Sequence, residues 1–427
     1  MLQKREAGAR ADKCGDSMIL SARSRYAQNP IEEEDIVADG LVKKGKNVVR
    51  LNRGDPPVYF PTPKYIINAY ISALREAKTF YSRAEGAHML VEAVQKRYRR
   101  MYGINASEDS IIVTQGVSEA LGFINSALIN DGDSAVIFKP YYPLYVPLLK
   151  IYGGNPIMGS YNEASGWGID SEKLSRMLKA LPKSRSRRAK YLLITNPSNP
   201  TGTVLSRRVL KEIIDIASEH SLLIVSDEIY DEITYNGARF TSVGELAKGV
   251  PHIILNGASK DFDATGFRIG FMLVPEHDKT SMAIKEKLAD YAKARLSVNT
   301  PAQYAVAAAM SNESEHRKAI RSMVRGIADR ANFATRLIAE NSLFEVVKPN
   351  GAFYIFPKVD LKKIGFKSDA EFVDKLLKEE YVQLTRGSGF GAPSHIRIVA
   401  LPPKDILGYA INKINEFCNR HSRSTGP

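Results

Sequence analysis

Five short apolar runs recur along the middle of the chain: Ile111-Ile112-Val113, Ala135-Val136-Ile137-Phe138, Tyr191-Leu192-Leu193-Ile194, Leu222-Leu223-Ile224-Val225 and Ile253-Ile254-Leu255. A strand with one wet face alternates apolar and polar residues. A short, continuous, β-branched-rich run needs cover on both faces. Helical stretches such as Ser118–Asn130 and Ser206–His220 separate these runs. Strand alternating with helix predicts an α/β domain on a mainly parallel sheet wrapped by helices.

The rhythm changes toward the C-terminus. From about residue 281 the helical stretches lengthen. Ser368 followed by Glu371 reads as a capping box opening a helix. Gly351-Ala352-Phe353-Tyr354-Ile355-Phe356 reads as a strand. A chain of 427 residues exceeds one ordinary core. The division that follows is a disordered extension 1–17, an N-terminal segment 18–60, a large domain 61–318 and a smaller α+β domain 319–427. The segment 18–60 is expected to join the smaller domain, and Met18 reads as an alternative start.

Composition removes several classes. Only Cys14 and Cys418 are present, too few for a disulfide scaffold or a four-cysteine zinc site. No metal site is expected, and the low cysteine count fits a reducing, cytoplasmic setting. No apolar run approaches the roughly 20 residues of a membrane helix, and the first thirty residues lack an apolar signal core. The net charge is +13, with local clusters at Arg97, Arg99 and Arg100 and from Lys183 to Lys190. No helix-turn-helix pattern, zinc finger or aromatic-interleaved RNA motif accompanies them. A solvated basic face is expected, with no nucleic-acid partner and no membrane.

In open parallel sheets, ligands bind beyond the carboxyl ends of the strands. The polar residues after each run are therefore the candidates. They are Thr114-Gln115-Gly116-Val117-Ser118-Glu119, Pro140-Tyr141-Tyr142-Pro143, Asn196-Pro197-Ser198-Asn199-Pro200-Thr201-Gly202, Ser226-Asp227-Glu228-Ile229-Tyr230 and Asn256-Gly257-Ala258-Ser259-Lys260. The last continues into Gly266-Phe267-Arg268-Ile269-Gly270. Gly116, Val117 and Ser118 present backbone amides at a helix start, which attracts anions. Ser118 also reads as that helix's N-cap.

In this order and spacing the strings resemble the fold type I pyridoxal-phosphate enzymes, in particular the class I/II aminotransferases. The resemblance runs from about residue 18 to the C-terminus. It implies that Lys260 holds pyridoxal 5'-phosphate as a Schiff base and carries the proton transferred at the substrate. It implies that Asp227 keeps the pyridine nitrogen protonated, as a nearby carboxylate favours a cation. Tyr230 and Asn199 match the family's partners of the coenzyme hydroxyl, and Tyr142 matches the aromatic stacked on the ring. Arg268, with Gly116, Val117 and Ser118, matches the phosphate site. Each match has a plainer alternative: a surface lysine, a helix-capping aspartate, an Asn-Pro turn, a core tyrosine.

Tyr81, in Tyr-Ser-x-x-x-Gly, resembles the tyrosine that reaches a neighbouring subunit's coenzyme phosphate. That implies a homodimer with shared sites; a core aromatic is the alternative. Arg397, in His-Ile-Arg-Ile-Val, resembles the arginine that grips a substrate α-carboxylate, a task suited to a planar fork. Gly54, in Asn-Arg-Gly-Asp-Pro, matches a loop glycine lining the site. The implied activity is ping-pong transfer of an α-amino group between an amino acid and a 2-oxo acid, within amino-acid metabolism.

Substrate choice is less defined. Asn256-Gly257-x-Ser259-Lys260, Arg295-Leu296-x-x-Asn299-Thr300-Pro301-Ala302-Gln303, Gly351-Ala352-Phe353-Tyr354-Ile355-Phe356-Pro357 and Gly387-x-Gly389-Phe390-Gly391 resemble the alanine aminotransferase branch, with 2-oxoglutarate as acceptor. Gly257 stands where aspartate-type relatives have a serine, which removes one possible phosphate hydroxyl. A second arginine for a dicarboxylic side chain has no clear match; Ala294 or Arg295 lies near its place. Arg53 either pairs with a distal carboxylate at the mouth or points to solvent. Aspartate or aromatic amino-acid transfer, and a carbon–sulfur lyase on the same scaffold, are the alternatives.

Overall fold

The computed structural model describes residues 19–27, 30–180, 189–276 and 278–423. The extension 1–17, Met18 and most of the basic stretch from Lys183 to Lys190 lie outside them. Among the described residues no helix is long and apolar enough to cross a membrane. No cluster of His, Cys, Asp or Glu among them could hold a metal ion.

A short strand β1 (Val49–Arg50) precedes the main sheet. The sheet contains β2 (Ile111–Thr114), β3 (Ser134–Lys139), β4 (Asn155–Asn162), β5 (Gly168–Ile169), β6 (Ala189–Thr195), β7 (Leu223–Asp227), β8 (His252–Gly257) and β9 (Gly270–Leu273). Their spatial order is β2-β9-β8-β7-β6-β3-β4-β5. The central pairings β4/β3, β3/β6, β6/β7 and β7/β8 are parallel. β9 runs antiparallel to both β2 and β8, and β5 runs antiparallel to β4. The architecture is thus the expected α/β one, on a mixed sheet.

All five apolar runs fall in strands, Leu222 alone standing just ahead of its own, and they are buried throughout or nearly so. Period-two alternation sends their residues to opposite covers. Ala135 and Ile137 pack on one side with Leu193 and Val225. Val136 and Phe138 pack on the other with Leu192 and Ile224. Two strands escape the sequence pattern. β9 is only four residues long, and its Gly270 sits against the backbone of Gly116. β4 carries Gly159, where a Cβ would lie 2.6 Å from the Phe138 ring, so a glycine breaks the apolar run.

The later residues build a second core. It joins Leu51 with Ile320 and Ile327 of the long helix Glu313–Ala339, Phe353, Ile396 and Phe417. β1 pairs in parallel with Val382–Gln383, and the Val399 amide donates to the Leu51 carbonyl at 2.9 Å. The proposed domain boundary at 318 falls inside that 27-residue helix.

Three local expectations need correction. Ser118 is the third residue of the helix Gly116–Leu128, whose N-cap is Gln115; it caps nothing there. Instead, Glu119 reaches back to accept the Gln115 amide at 2.8 Å. Ser368 does cap the helix Asp369–Glu380, but Glu371 accepts from the Lys367 amide rather than from Ser368, so the capping box is displaced by one residue. Only Tyr354–Ile355 of the 351–356 string is strand. The amides of Asn350 and Gly351 donate to the Gly202 carbonyl, so the start of the stretch packs on a loop, with only an isolated bridge from Gly351 to Thr234.

Candidate active site

The strand ends converge on one cavity of about 480 Å³, inside the roughly 300–1,000 Å³ span of cofactor and ligand sites. It is lined by every expected site residue except Gly116 and Tyr81. Asp227 ends β7 and lies in register with Thr195, which ends β6. Lys260 follows the end of β8 by three residues, and Arg397 comes from the strand Ile396–Val399.

The Lys260 Nζ donates to the Gly54 carbonyl at 2.7 Å. Burial holds its ammonium down to about 8; Asp55 and Asp227 oppose this, while Arg268 and Arg397 reinforce it. An amine that loses its proton near neutral pH is suited to nucleophilic attack and to proton transfer. Gly54 is required where it stands: a Cβ would lie 2.3 Å from the Tyr354 hydroxyl.

Asp227 is buried, and burial raises its carboxyl to about 6. Two donors work against that rise. The Tyr145 hydroxyl lies 2.6 Å from Oδ2, and the Ile229 amide donates to Oδ1 at 3.3 Å. The Tyr230 hydroxyl is bonded to that of Tyr354 at 2.8 Å. Tyr142 borders the cavity, and burial lifts its phenol to about 12, so it stays protonated.

Arg397 is 1 % exposed. Its Nη1 donates to Asn199 Oδ1 at 2.9 Å, and Nη2 donates to the Asn52 carbonyl. The Tyr354 and Phe390 rings lie 4.7 and 4.8 Å from its guanidinium carbon. Its Nε is buried without a partner. A buried cationic donor left unmatched is costly, and an anion would relieve it.

A second anion corner forms at the start of the helix Gly116–Leu128, whose first amides have no side-chain cap. Gly116 has φ +71, and a Cβ there would lie 2.4 Å from Arg268 Nη2. Glycine thus keeps the helix amides and the guanidinium side by side, a pairing that suits phosphate. Arg268 itself has φ +57 and donates through Nη1 to the Thr265 carbonyl at 3.0 Å.

Arg53 meets neither of its expected fates alone. Its side chain is 58 % exposed, yet Nε donates to Asp35 Oδ2 at 2.7 Å and Nη2 lies 2.6 Å from the same oxygen. Asp35 also accepts from Asn52 and Gln383 through Oδ1, both at 2.8 Å. Arg295 does not line the cavity; it donates to the carbonyls of Ala84 and Val113. Tyr81 is 78 % exposed and stands apart from this chain's own cavity.

Tyr145, Thr195, Tyr354 and Asp35 escaped the sequence reading. Tyr145 lies two residues beyond the Pro140–Pro143 string, and Tyr354 lies within a string in which no side chain is assigned a role at the site. Asp35 closes the acidic run Glu32-Glu33-Glu34-Asp35, which carries no motif that sets one carboxylate apart from its neighbours.

Comparison with known proteins follows the same lines. Residues 46–414 match the family model described as aminotransferase class I and II. The glutamate-pyruvate aminotransferase AlaA of Haemophilus influenzae is 32% identical over 393 residues, 91% of this chain and 94% of that protein. The aspartate aminotransferase of Geobacillus stearothermophilus is 34% identical over 385 residues, 89% of this chain and 93% of that one. The solved alanine aminotransferase from Pyrococcus furiosus superposes with a TM-score of 0.88 at 35% identity, covering 94% of this chain and 99% of that one.

Proposed function

The chain belongs to the class I and II aminotransferases, and from that premise we propose that it moves the α-amino group between L-alanine and 2-oxoglutarate on pyridoxal phosphate. One observation carries the reading. Lys260 and Asp227 face the same cavity as Arg397, whose buried Nε still lacks a partner. The relatives named for alanine support the choice of donor.

The donor set fits the coenzyme in three places. The amides of Gly116, Val117 and Ser118, with Arg268, would hold the phosphate. Asp227 would hold the proton on the pyridine nitrogen, and that new cation would draw its carboxyl down from about 6. Tyr230 and Asn199 would meet the ring hydroxyl, and Tyr142 would lie against the ring. Bound there, the coenzyme supplies an electron sink for the bond broken at the substrate α-carbon.

The remaining work falls to the chain. Arg397 takes the α-carboxylate and orients the substrate, with Gly54 leaving the backbone room to approach. Lys260 takes up and returns a proton at its Nζ. Arg53 at the mouth takes the distal carboxylate of 2-oxoglutarate, while Asp35 balances its charge when alanine occupies the site. We further place the protein in the cytoplasm as a homodimer, with Tyr81 reaching the partner's phosphate corner. The large and small domains meet near residue 318.

The test is an absorption spectrum of purified protein loaded with pyridoxal phosphate. L-alanine, L-aspartate and L-glutamate are added singly without a 2-oxo acid. Loss of the yellow band at the lowest concentration with alanine or glutamate is expected. Aspartate acting first would make this an aspartate aminotransferase, and an aromatic donor series extends the comparison. With a sulfur amino acid and no acceptor, release of 2-oxo acid, ammonia and a thiol beyond one equivalent per site would mark a carbon–sulfur lyase. In Arg53→Ala, the glutamate response should weaken more than the alanine response; equal weakening removes Arg53 from substrate recognition.

A further inference from the structure

We infer that Tyr145 is a positioning residue for the proposed reaction: its hydroxyl, backed by Thr195, fixes the Asp227 carboxylate that faces the coenzyme. The inference rests on the pyridoxal-phosphate reading of the cavity. Tyr145 opens the helix Tyr145–Ile151 and is buried. Its hydroxyl lies 2.6 Å from Asp227 Oδ2 and 2.7 Å from Thr195 Oγ1. Both partners end adjacent parallel strands in register.

Proton counting gives the arrangement a direction. An ionised carboxylate only accepts, and a phenol has one proton to give. With Asp227 ionised, the Tyr145 proton must point to Oδ2, and Thr195 must donate to Tyr145. The pair therefore favours the charged carboxylate and fixes one of its oxygens. Oδ1 keeps only the longer bond from the Ile229 amide at 3.3 Å, which leaves it capacity for a donor in the cavity. The other charged or titratable groups facing Asp227 are Lys260 from beyond β8, Tyr142, Tyr230 and Tyr354. Tyr145 also meets Tyr142 edge to face, with ring centroids 5.4 Å apart. One side chain thus braces two groups expected to touch the coenzyme.

Tyr145→Phe keeps the ring and removes the hydroxyl. A second buried pair provides the control: the Tyr191 hydroxyl donates to Asn125 at 2.7 Å and is not bonded to Asp227. Coenzyme-free protein is titrated with pyridoxal phosphate, following intrinsic fluorescence, at several pH values. Tyr145→Phe should bind about tenfold more weakly, the factor for one lost bond to a charged group. Without the hydroxyl the carboxyl rises, so the acid limb of binding should move to higher pH. Thr195→Val should shift both in the same direction by less. Tyr191→Phe should lower Tm and leave binding alone. Tyr145→Phe that binds like the parent, or Tyr191→Phe that weakens binding equally, overturns the inference. Failure of the parent itself to bind the coenzyme overturns the functional reading instead.

Discussion

Lys260 shows how one side chain can carry two demands at once. Its ammonium is buried enough to fall to about 8, and the unfolded chain would keep that proton to roughly 10.4. Below pH 8 the coenzyme-free fold bears the cost of a poorly solvated cation. Between pH 8 and the unfolded value the unfolded state binds more protons, so stability rises with pH. Lys260→Met removes the conflict. The coenzyme-free variant should melt higher than the parent at pH 7, by roughly 2 °C, and the gap should close as pH rises through that window. Calorimetry that finds the variant no more stable at pH 7 would refute this. The same amine, poised near neutrality, is what a proton carrier needs. Residue type and neighbouring string pointed to Lys260, but its titration depends on burial first, and then on groups that include Asp55 and Arg397, both more than a hundred residues away in sequence.

At the level of elements, the anion corner depends on how closely three backbone segments approach. Gly257 ends β8, and a Cβ there would meet the Ile269 carbonyl at 2.6 Å and Gly270 Cα at 2.8 Å. Gly270 opens β9, and a Cβ there would lie 2.7 Å from Gly116 Cα. The two glycines thus allow β9 to enter antiparallel between β2 and β8 and to press against the helix start. Gly257→Ser would seem to add a useful phosphate hydroxyl. Here it should instead force β8 and β9 apart, costing about 1–3 kcal/mol and weakening coenzyme binding. Urea denaturation tests this; a fully stable Gly257→Ser protein would show that the strands can yield. In the sequence, Gly257 looks only like a missing hydroxyl, because the crowding comes from a strand more than ten residues later.

Across the whole molecule, a buried charge cluster ties the site's two halves together. Arg97, on the helix His88–Tyr102, lies 2.9 Å from Asp231 and 2.6 Å from Glu232, just beyond Tyr230. It also lies 3.7 Å from Asp261, the residue after Lys260. Glu232 takes a second partner, His316 of the long helix, at 2.5 Å. Burial alone would raise Glu232, but Arg97 and His316 bring it down to about 2. Burial and the adjacent Asp231 push the Asp261 carboxyl well above its usual range, while Arg97 opposes them. Arg97→Met would strand the ionised pair, and breaking a buried ion pair costs about 3–5 kcal/mol. Equilibrium unfolding should read that loss; a change below 1 kcal/mol would mean the cluster relaxes or hydrates. In the sequence, Arg97 stands beside Arg99 and Arg100 and reads as part of a wet basic face.

The sequence by itself determined the strand-helix alternation and the side of the sheet where ligands bind, and it pointed to about half of the residues that line the cavity. Those features are local: a run apolar on both faces must be covered twice, and the polar turn after it must emerge at the strand's end. Only the tertiary structure decided where β9 inserts, that Tyr145 and Thr195 brace Asp227, and that Asp35 takes hold of Arg53. These are contacts between segments tens to hundreds of residues apart. A tyrosine, an aspartate or a four-residue strand has the same local signature whether it meets a partner or water, so only the packed chain distinguishes them.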